Sequence, residues 1–262
     1  PIPDELADRA ERRAKAAQQQ SAEQPHTLPA AIRQHFPDRF VFTESMGWVP
    51  EGWEMAQIKD IAKTIKGKSY KSSELTPSAT ALVTLKSFSR GGGYRLDGLK
   101  EYSGSYKPEQ EVFAGDLIIA YTDVTQAADV IGKPAMVVSD ARYEHLVISL
   151  DVAVVRPFVD SHKYYLYGLA QTDRFQDHTY SHSTGTTVLH LGKNAVPDYP
   201  LAQPSESLLS EYKEIVEPIF STINGNIAAT ATLTTLRDTL LPKLLSGQLR
   251  IPEAEQLVAE AI

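Results

Sequence analysis

The chain has 262 residues, 42% of them hydrophobic, enough to bury one substantial core and still carry appendages outside it. It contains no cysteine, which excludes disulfides, thiolate nucleophiles and cysteine-ligated zinc. A formal net charge of −7 disfavours a nucleic-acid partner at first sight, because phosphate contacts need clustered Lys and Arg. No apolar run reaches the length of a membrane span, and the charged amino terminus lacks a signal-peptide core, so a soluble, cytoplasmic protein is expected.

Residues 1–45 read as a connector: an Ala/Gln/Arg/Lys-rich stretch, helical over about residues 6–20, then prolines around LPAAIRQHF. The chain starts without Met, as a fragment or a processed form would. From Gly47 the texture turns compact, and WEMAQIKDIAKTI predicts a short strand leading into a helical turn or a second strand. Further strands are predicted at 79–88, 116–123, 135–140, 146–158 and 186–191, with a helix over 161–176. This makes residues 46–203 one mixed α+β domain with mainly antiparallel strands. After Pro204 a helical period sets in, from Leu208 to Leu245, with Gly247 as its stop. A helix over 205–246 would be about 60 Å long, against about 40 Å for the domain. It must protrude, as a coiled-coil-like spacer or dimerisation arm spanning 204–248 and followed by a tail at 249–262. Pro218 and the Thr-rich ATATLTTL predict a kink or break near Pro218. The stripe it presents, Ile219, Ile223, Ile227, Leu233, Leu240 and Leu244, calls for a partner helix in cis or from another copy.

The distribution of charge reverses the first impression of an acidic protein. Residues 204–262 carry 4 basic and 8 acidic side chains, whereas residues 59–107 hold 10 Lys and Arg against 4 acids, a local +6. Within that stretch SFSRGGGYRLDGLKEYSGSYK (87–107) interleaves Arg90, Arg95 and Lys100 with Tyr94, Tyr102 and Tyr106 beside three glycines. Arginine pairs with guanine, lysine neutralises phosphate and tyrosine stacks or hydrogen-bonds phosphate. Lys66, Lys68 and Lys86 add to this face. A plain surface hairpin is the competing reading. A second candidate is QDHTYSHSTG (176–185), taken as a loop, where His182, Ser183, Thr184 and Thr186 suit contacts in a groove. His178 and His182 stand four apart, but with Thr, Ser and Gly around them solvated or hydrogen-bonding histidines are preferred to a metal site.

A search for catalysis fails. GGGYRLDG lacks the spacing of a phosphate loop, and there is no G-x-G-x-x-G after a strand, G-x-S-x-G elbow, H-E-x-x-H pair or kinase signature. The Asp/Asn-Pro-Pro-Tyr element of adenine methyltransferases is also missing. No catalytic residue and no metal is expected.

LRDTLLPKLLSGQLRIPE (236–253) resembles the carboxy-terminal end of the conserved helix in specificity subunits of type I restriction-modification systems. GWVPEGWEMAQIKDIAKTIKGKS (47–69) resembles the entry to one of their target recognition domains, supported by GDLIIAYTD (115–123), IGKPAMV (131–137) and STGTTVLHLGKNAVPDYPLAQPS (183–205). These segments stand in the family's order, and LPAAIRQHFPDRFVFTESMGWVPEGW (28–53) resembles the connector before a second recognition domain, as in a carboxy-terminal half. The resemblance implies double-stranded DNA and modification (methyltransferase) subunits as partners, restriction subunits indirectly, a homodimer through the helix as one option, and no cofactor in this chain. It would read one half of a bipartite target without catalysing anything. The recognition end of a single-chain restriction-methyltransferase enzyme and a helical scaffold without DNA binding remain the alternatives.

Overall fold

The computed structural model describes residues 30–125 and 127–261, with residues 7 and 11. Residues 7 and 11 are helical, and the rest of the helix expected over 6–20 lies outside the described residues. The chain enters through α1 (Ala30–Arg33) and a hairpin of β1 (Phe40–Thr43) and β2 (Gly47–Pro50). β3 (Glu54–Gln57), α2 (Ile58–Ile61) and β4 (Ala62–Lys66) follow without interruption, so both readings of WEMAQIKDIAKTI occur in turn. Then come β5 (Thr80–Val83), β6 (Lys100–Glu101), β7 (Glu111–Val112), β8 (Leu117–Ala120), β9 (Thr122–Asp123), β10 (Pro134–Met136), β11 (His145–Ile148) and β12 (Val152–Pro157). α3 (His162–Ala170), α4 (Asp173–Ser181), β13 (Ser183–Thr184), β14 (Leu189–Leu191) and β15 (Pro200–Gln203) lead to α5 (Glu206–Leu245) and α6 (Ile251–Ala261). The fold is mixed α+β, as expected, with mainly antiparallel strand pairs, β5 and β11 running parallel, and a long carboxy-terminal helix.

The central sheet has the order β10-β8-β12-β4, antiparallel throughout. Because side chains alternate across a strand, Leu117, Ile119, Ala153, Val155 and Met136 face one core, packed against Tyr164, Leu166 and Phe175 of α3 and α4. Ile118, Ala120, Val152, Val154 and Ala135 face a second core, shared with Ala81, Val83, Leu146 and Ile148 of the sheet β6-β5-β11-β7. The domain is thus helices, sheet and sheet in three layers. The predicted run 146–158 is two strands, not one: it leaves β11 through Ser149–Asp151 and re-enters the central sheet as β12. Beside this crossing, a Cβ on Gly67 would stand 2.2 Å from the carbonyl oxygens of Ile148 and Ser149, so only glycine lets the two sheets approach there. The run 116–123 splits in the same way between β8 and β9.

α5 runs its 40 residues without a break through Pro218. The expected break is absent, and the threonines are absorbed because the hydroxyls of Thr222, Thr230, Thr232 and Thr235 each donate to the carbonyl four residues back. The helix ends in a Schellman motif: Gly247, with φ +71°, donates to Leu244 O, and Gln248 N donates to Lys243 O. The chain then turns into α6, and Leu240 and Ala254 become buried where the two helices meet. No described helix is long and apolar enough to cross a membrane.

Candidate nucleic-acid interface

Strand register gives the central sheet two distinct ends. At one, Lys66 stands opposite Ala153, Ala153 opposite Ile119, and Ile119 opposite Pro134. At the other, Ala62 is opposite Pro157, and Leu117 is opposite both Val155 and Met136. The Gly-rich hairpin hangs from the first end, where Gly93 N donates to Pro134 O at 3.1 Å. β9 continues β8 past this same end and pairs with β14, which pairs with β13, bringing Ser183 and Thr184 there. Lys68 also lies there, its N–H donating to Ile148 O, and so does the turn carrying Lys86, which follows β5. Residues separated by more than a hundred positions are therefore gathered at one end of one sheet.

Their individual states differ. Lys66, Lys68, Lys86 and Lys100 have no carboxylate within ion-pair distance among the described residues; Lys66 Nζ lies 4.8 Å above the Tyr121 ring and Lys100 Nζ 5.8 Å above that of Tyr70. Arg90 is 84% exposed along its side chain and reaches Asp129 at 3.6 Å. Arg95 turns its fork on Asp97, two residues on, with Nε donating to Oδ1 at 3.0 Å, so two of its five donors are already engaged. The tyrosines correct the sequence reading. Tyr102 is fully buried beside Leu82 and Val147, with its hydroxyl donating to Ser105 O, and cannot stack on a ligand. Tyr94 packs against the second core, and burial, with Asp140 nearby, pushes its hydroxyl pKa up. All three tyrosines of the segment turn inward, Tyr106 packing beside Tyr102, and the basic residues between them stay at the surface.

The expectation of a loop at 176–185 is also corrected, since α4 extends to Ser181 and His182 is its carboxy-terminal cap. His178 Nε2 donates to Ala195 O at 2.9 Å, and His182 Nδ1 donates to His178 O at 2.8 Å, with the two rings stacked. Burial lowers the His178 pKa, the bond to Ala195 opposes this, and the nearby His182 lowers it further. Among the described residues no cluster of His, Asp and Glu has metal-binding geometry. Ser183 Oγ donates to Tyr180 O, while Thr184 and Thr186 are exposed.

One residue that orders this end of the sheet was not singled out in the sequence reading. Asp123 is 1% exposed, yet its Oδ1 accepts from the N–H and hydroxyl of Thr125, and its Oδ2 from Val130 N at 2.7 Å and Ile131 N at 3.2 Å. Burial pushes its pKa up, but these hydrogen bonds outweigh that and hold it below the ordinary value. It pins the segment after β9, in which Ala128 sits at φ +53°, a left-handed conformation costing about 1 kcal/mol in a residue with a Cβ. The only sequence sign was an acid closing a strand, in TDVT.

The opposite end of the sheet roots the long helix. Glu206, at the start of α5, accepts from Ser161 Oγ and from His162 Nε2 at 3.0 Å, with Ser205 capping the helix. Asp160 bridges Lys163 and Lys213. Phe220 stacks on Tyr164 at 5.2 Å and meets Tyr167 edge-on at 5.0 Å. Of the stripe named from sequence, Ile219, Ile223 and Leu233 are exposed, Ile227 and Leu244 are half-buried, and Leu240 is covered by α6.

No protein-family model matches the chain. It is similar to the type I restriction enzyme MjaIX specificity subunit of Methanocaldococcus jannaschii, with 22% identity over 225 residues, covering 82% of this chain and 49% of that protein. The chain thus spans about half the length of the curated relative it matches. A crystal structure of the type I restriction-modification S subunit from M. genitalium matches 74% of this chain and 46% of its own, at 12% identity and a TM-score of 0.51, and shows the same fold. The HsdS subunit from Thermoanaerobacter tengcongensis covers 93% of this chain and 56% of its own at 17% identity, with a TM-score of 0.42. The resemblance to type I specificity subunits, drawn from ordered sequence segments, is borne out.

Proposed function

We propose that this chain is the sequence-reading, non-catalytic part of a type I restriction-modification complex, in which residues 46–203 form one target recognition domain that reads one half of a bipartite duplex target. Methylation of the target belongs to modification subunits that dock on the arm, residues 204–248, and the restriction subunits join through them. The chain itself carries no cofactor and acts in the cytoplasm. The observation that carries the reading is the gathering of Lys66, Lys68, Lys86 and Arg90 at the end of the central sheet away from the arm root. Lysines without carboxylate partners retain their charge for phosphates, while an arm rooted at the far end leaves that surface open. The exposed stripe of Ile219, Ile223 and Leu233 supports docking of a further helix, from a modification subunit or a second copy.

The test is selection from a randomised duplex library by the full chain with its modification subunits present. A recognition subunit enriches a defined sequence, and recovery of an unenriched library would sink the reading. In the same assay Lys66, Lys68 and Lys86 changed together to Ala weaken binding to all duplexes alike. They also reduce the slope of log affinity against log salt by about 0.9 for each phosphate that is no longer neutralised. An unchanged slope would place the DNA face elsewhere.

A further inference from the structure

Val124 and its neighbour Asp123 invert the usual arrangement of a protein surface. The carboxylate is 1% exposed and the valine is 67% exposed, although burying the valine and solvating the aspartate is the ordinary outcome. The inversion is maintained by four hydrogen bonds to Asp123, and they fix a segment that also carries the left-handed Ala128. Backbone strain held in place by a buried polar hub is typical of segments that present groups to a ligand. The segment presents two. Val124 offers methyl groups to solvent, and Asp129 stands behind the guanidinium of Arg90, which comes from the Gly-rich hairpin and is 84% exposed. The pair is 3.6 Å apart, too long for a hydrogen bond, so Asp129 attracts the guanidinium and leaves its donors unused.

We infer that Val124, just past β9, and Arg90, held near Asp129 from the Gly-rich hairpin, are the base-reading residues of the basic surface: Arg90 takes the O6 and N7 edge of a guanine and Val124 meets the methyl of a thymine. Arginine matches those two acceptors bidentately, and an apolar side chain is what distinguishes the thymine methyl in the major groove. The surrounding lysines serve phosphates and carry no sequence information. Asp123 acts through the backbone of the segment after β9 and is a positioning residue. The inference rests on the reading of the chain as DNA-binding.

The duplex enriched by the wild-type full chain with its modification subunits is the probe, against a scrambled duplex of equal length. Arg90→Lys keeps the charge and loses the fork, so it is expected to lower affinity for the selected duplex roughly tenfold and to relax one guanine position, with the scrambled duplex unaffected. Val124→Ala relaxes one thymine position. Asp129→Asn reproduces the loss of guanine preference more weakly. Asp123→Asn blurs both positions in protein that retains its circular dichroism spectrum. Wild-type affinity and an unrelaxed guanine position in Arg90→Lys mean a phosphate contact and overturn the guanine assignment. If Arg90→Lys, Asp129→Asn and Val124→Ala, all surface changes, enrich the wild-type sequence at wild-type affinity, these residues do not read bases although the chain does. A wild-type chain that enriches nothing removes the underlying reading and this inference with it.

Discussion

At the Lys66 end of the central sheet order comes from polar groups, whereas at the Pro157 end it comes from aromatic stacking. Asp123 ties down its segment with hydrogen bonds and leaves Val124 exposed, while Tyr164 and Tyr167 hold Phe220 by ring contacts reinforced by the Asp160–Lys213 and His162–Glu206 pairs. The difference follows from what each end presents. An end fastened by hydrogen bonds keeps its charged side chains at the surface, whereas apolar fastening would cover it. A helix that must leave its domain in one direction needs a contact that excludes alternatives, which stacked rings supply.

The comparison can be broken most severely at Gly67, where β4 passes from one sheet toward the other. Gly67→Ala drives a Cβ into two carbonyl oxygens and is expected to cost about 4 kcal/mol or more, seen as loss of cooperative urea unfolding or of soluble protein. Asp123→Asn comes next. It leaves buried donors without an acceptor, each costing about 1–3 kcal/mol, and it also changes the acid limb of stability. The folded pKa of Asp123 lies below its unfolded value, so its stabilisation is full above an unfolded carboxylate pKa of about 4 and is lost as pH falls through the folded value. The variant flattens that limb, as unfolding midpoints measured between neutral and acid pH would show. Phe220→Ala strikes the other end, and because the ring is only partly buried the expected cost is about 2 kcal/mol in urea, with the selected duplex still bound by the domain. Ile219→Glu with Ile223→Glu should change the stability of the isolated chain by less than about 0.5 kcal/mol, since both side chains are exposed, while abolishing co-purification with whatever helix covers the stripe. A large loss of monomer stability would mean that the arm already packs against its own chain.

Part of this division was legible in the sequence because it is periodic. The 3.6-residue pattern from Leu208 to Leu245 announced a long helix, whereas the basic run within 59–107 is divided by the fold, Lys66, Lys68 and Lys86 going to one end of the central sheet and Lys59 and Lys63, paired with Asp198 and Glu109, to the other. Sheet switching was not legible. LVISLDVAVV is apolar on both sides of Ser149 and Asp151 because β11 and β12 are both covered, and the Ser-Leu-Asp between them reads as the alternation of one continuing strand as readily as a change of sheet. Tyr102 was misread for a related reason: among basic residues an aromatic looks like a ligand contact, while strand alternation decides which side it faces. The helical state of His178 was hidden by Thr and Ser neighbours of poor helix propensity, outweighed by the packing of Phe175 and Thr179 into the core. Asp123 was missed because a single acid at a strand end is common, and only the four donors converging on it reveal what it does.

The aromatic root of α5 has a mechanical meaning. Between Phe220 and Leu245 the helix extends about 37 Å at 1.5 Å per residue, so the root is the short arm of a lever. A tilt of about five degrees there displaces the tip by about 3 Å, close to the 3.4 Å rise of one base pair. Any loosening of the Phe220 ring contacts and the ion pairs beside them therefore arrives at the far end of the helix magnified to several ångströms.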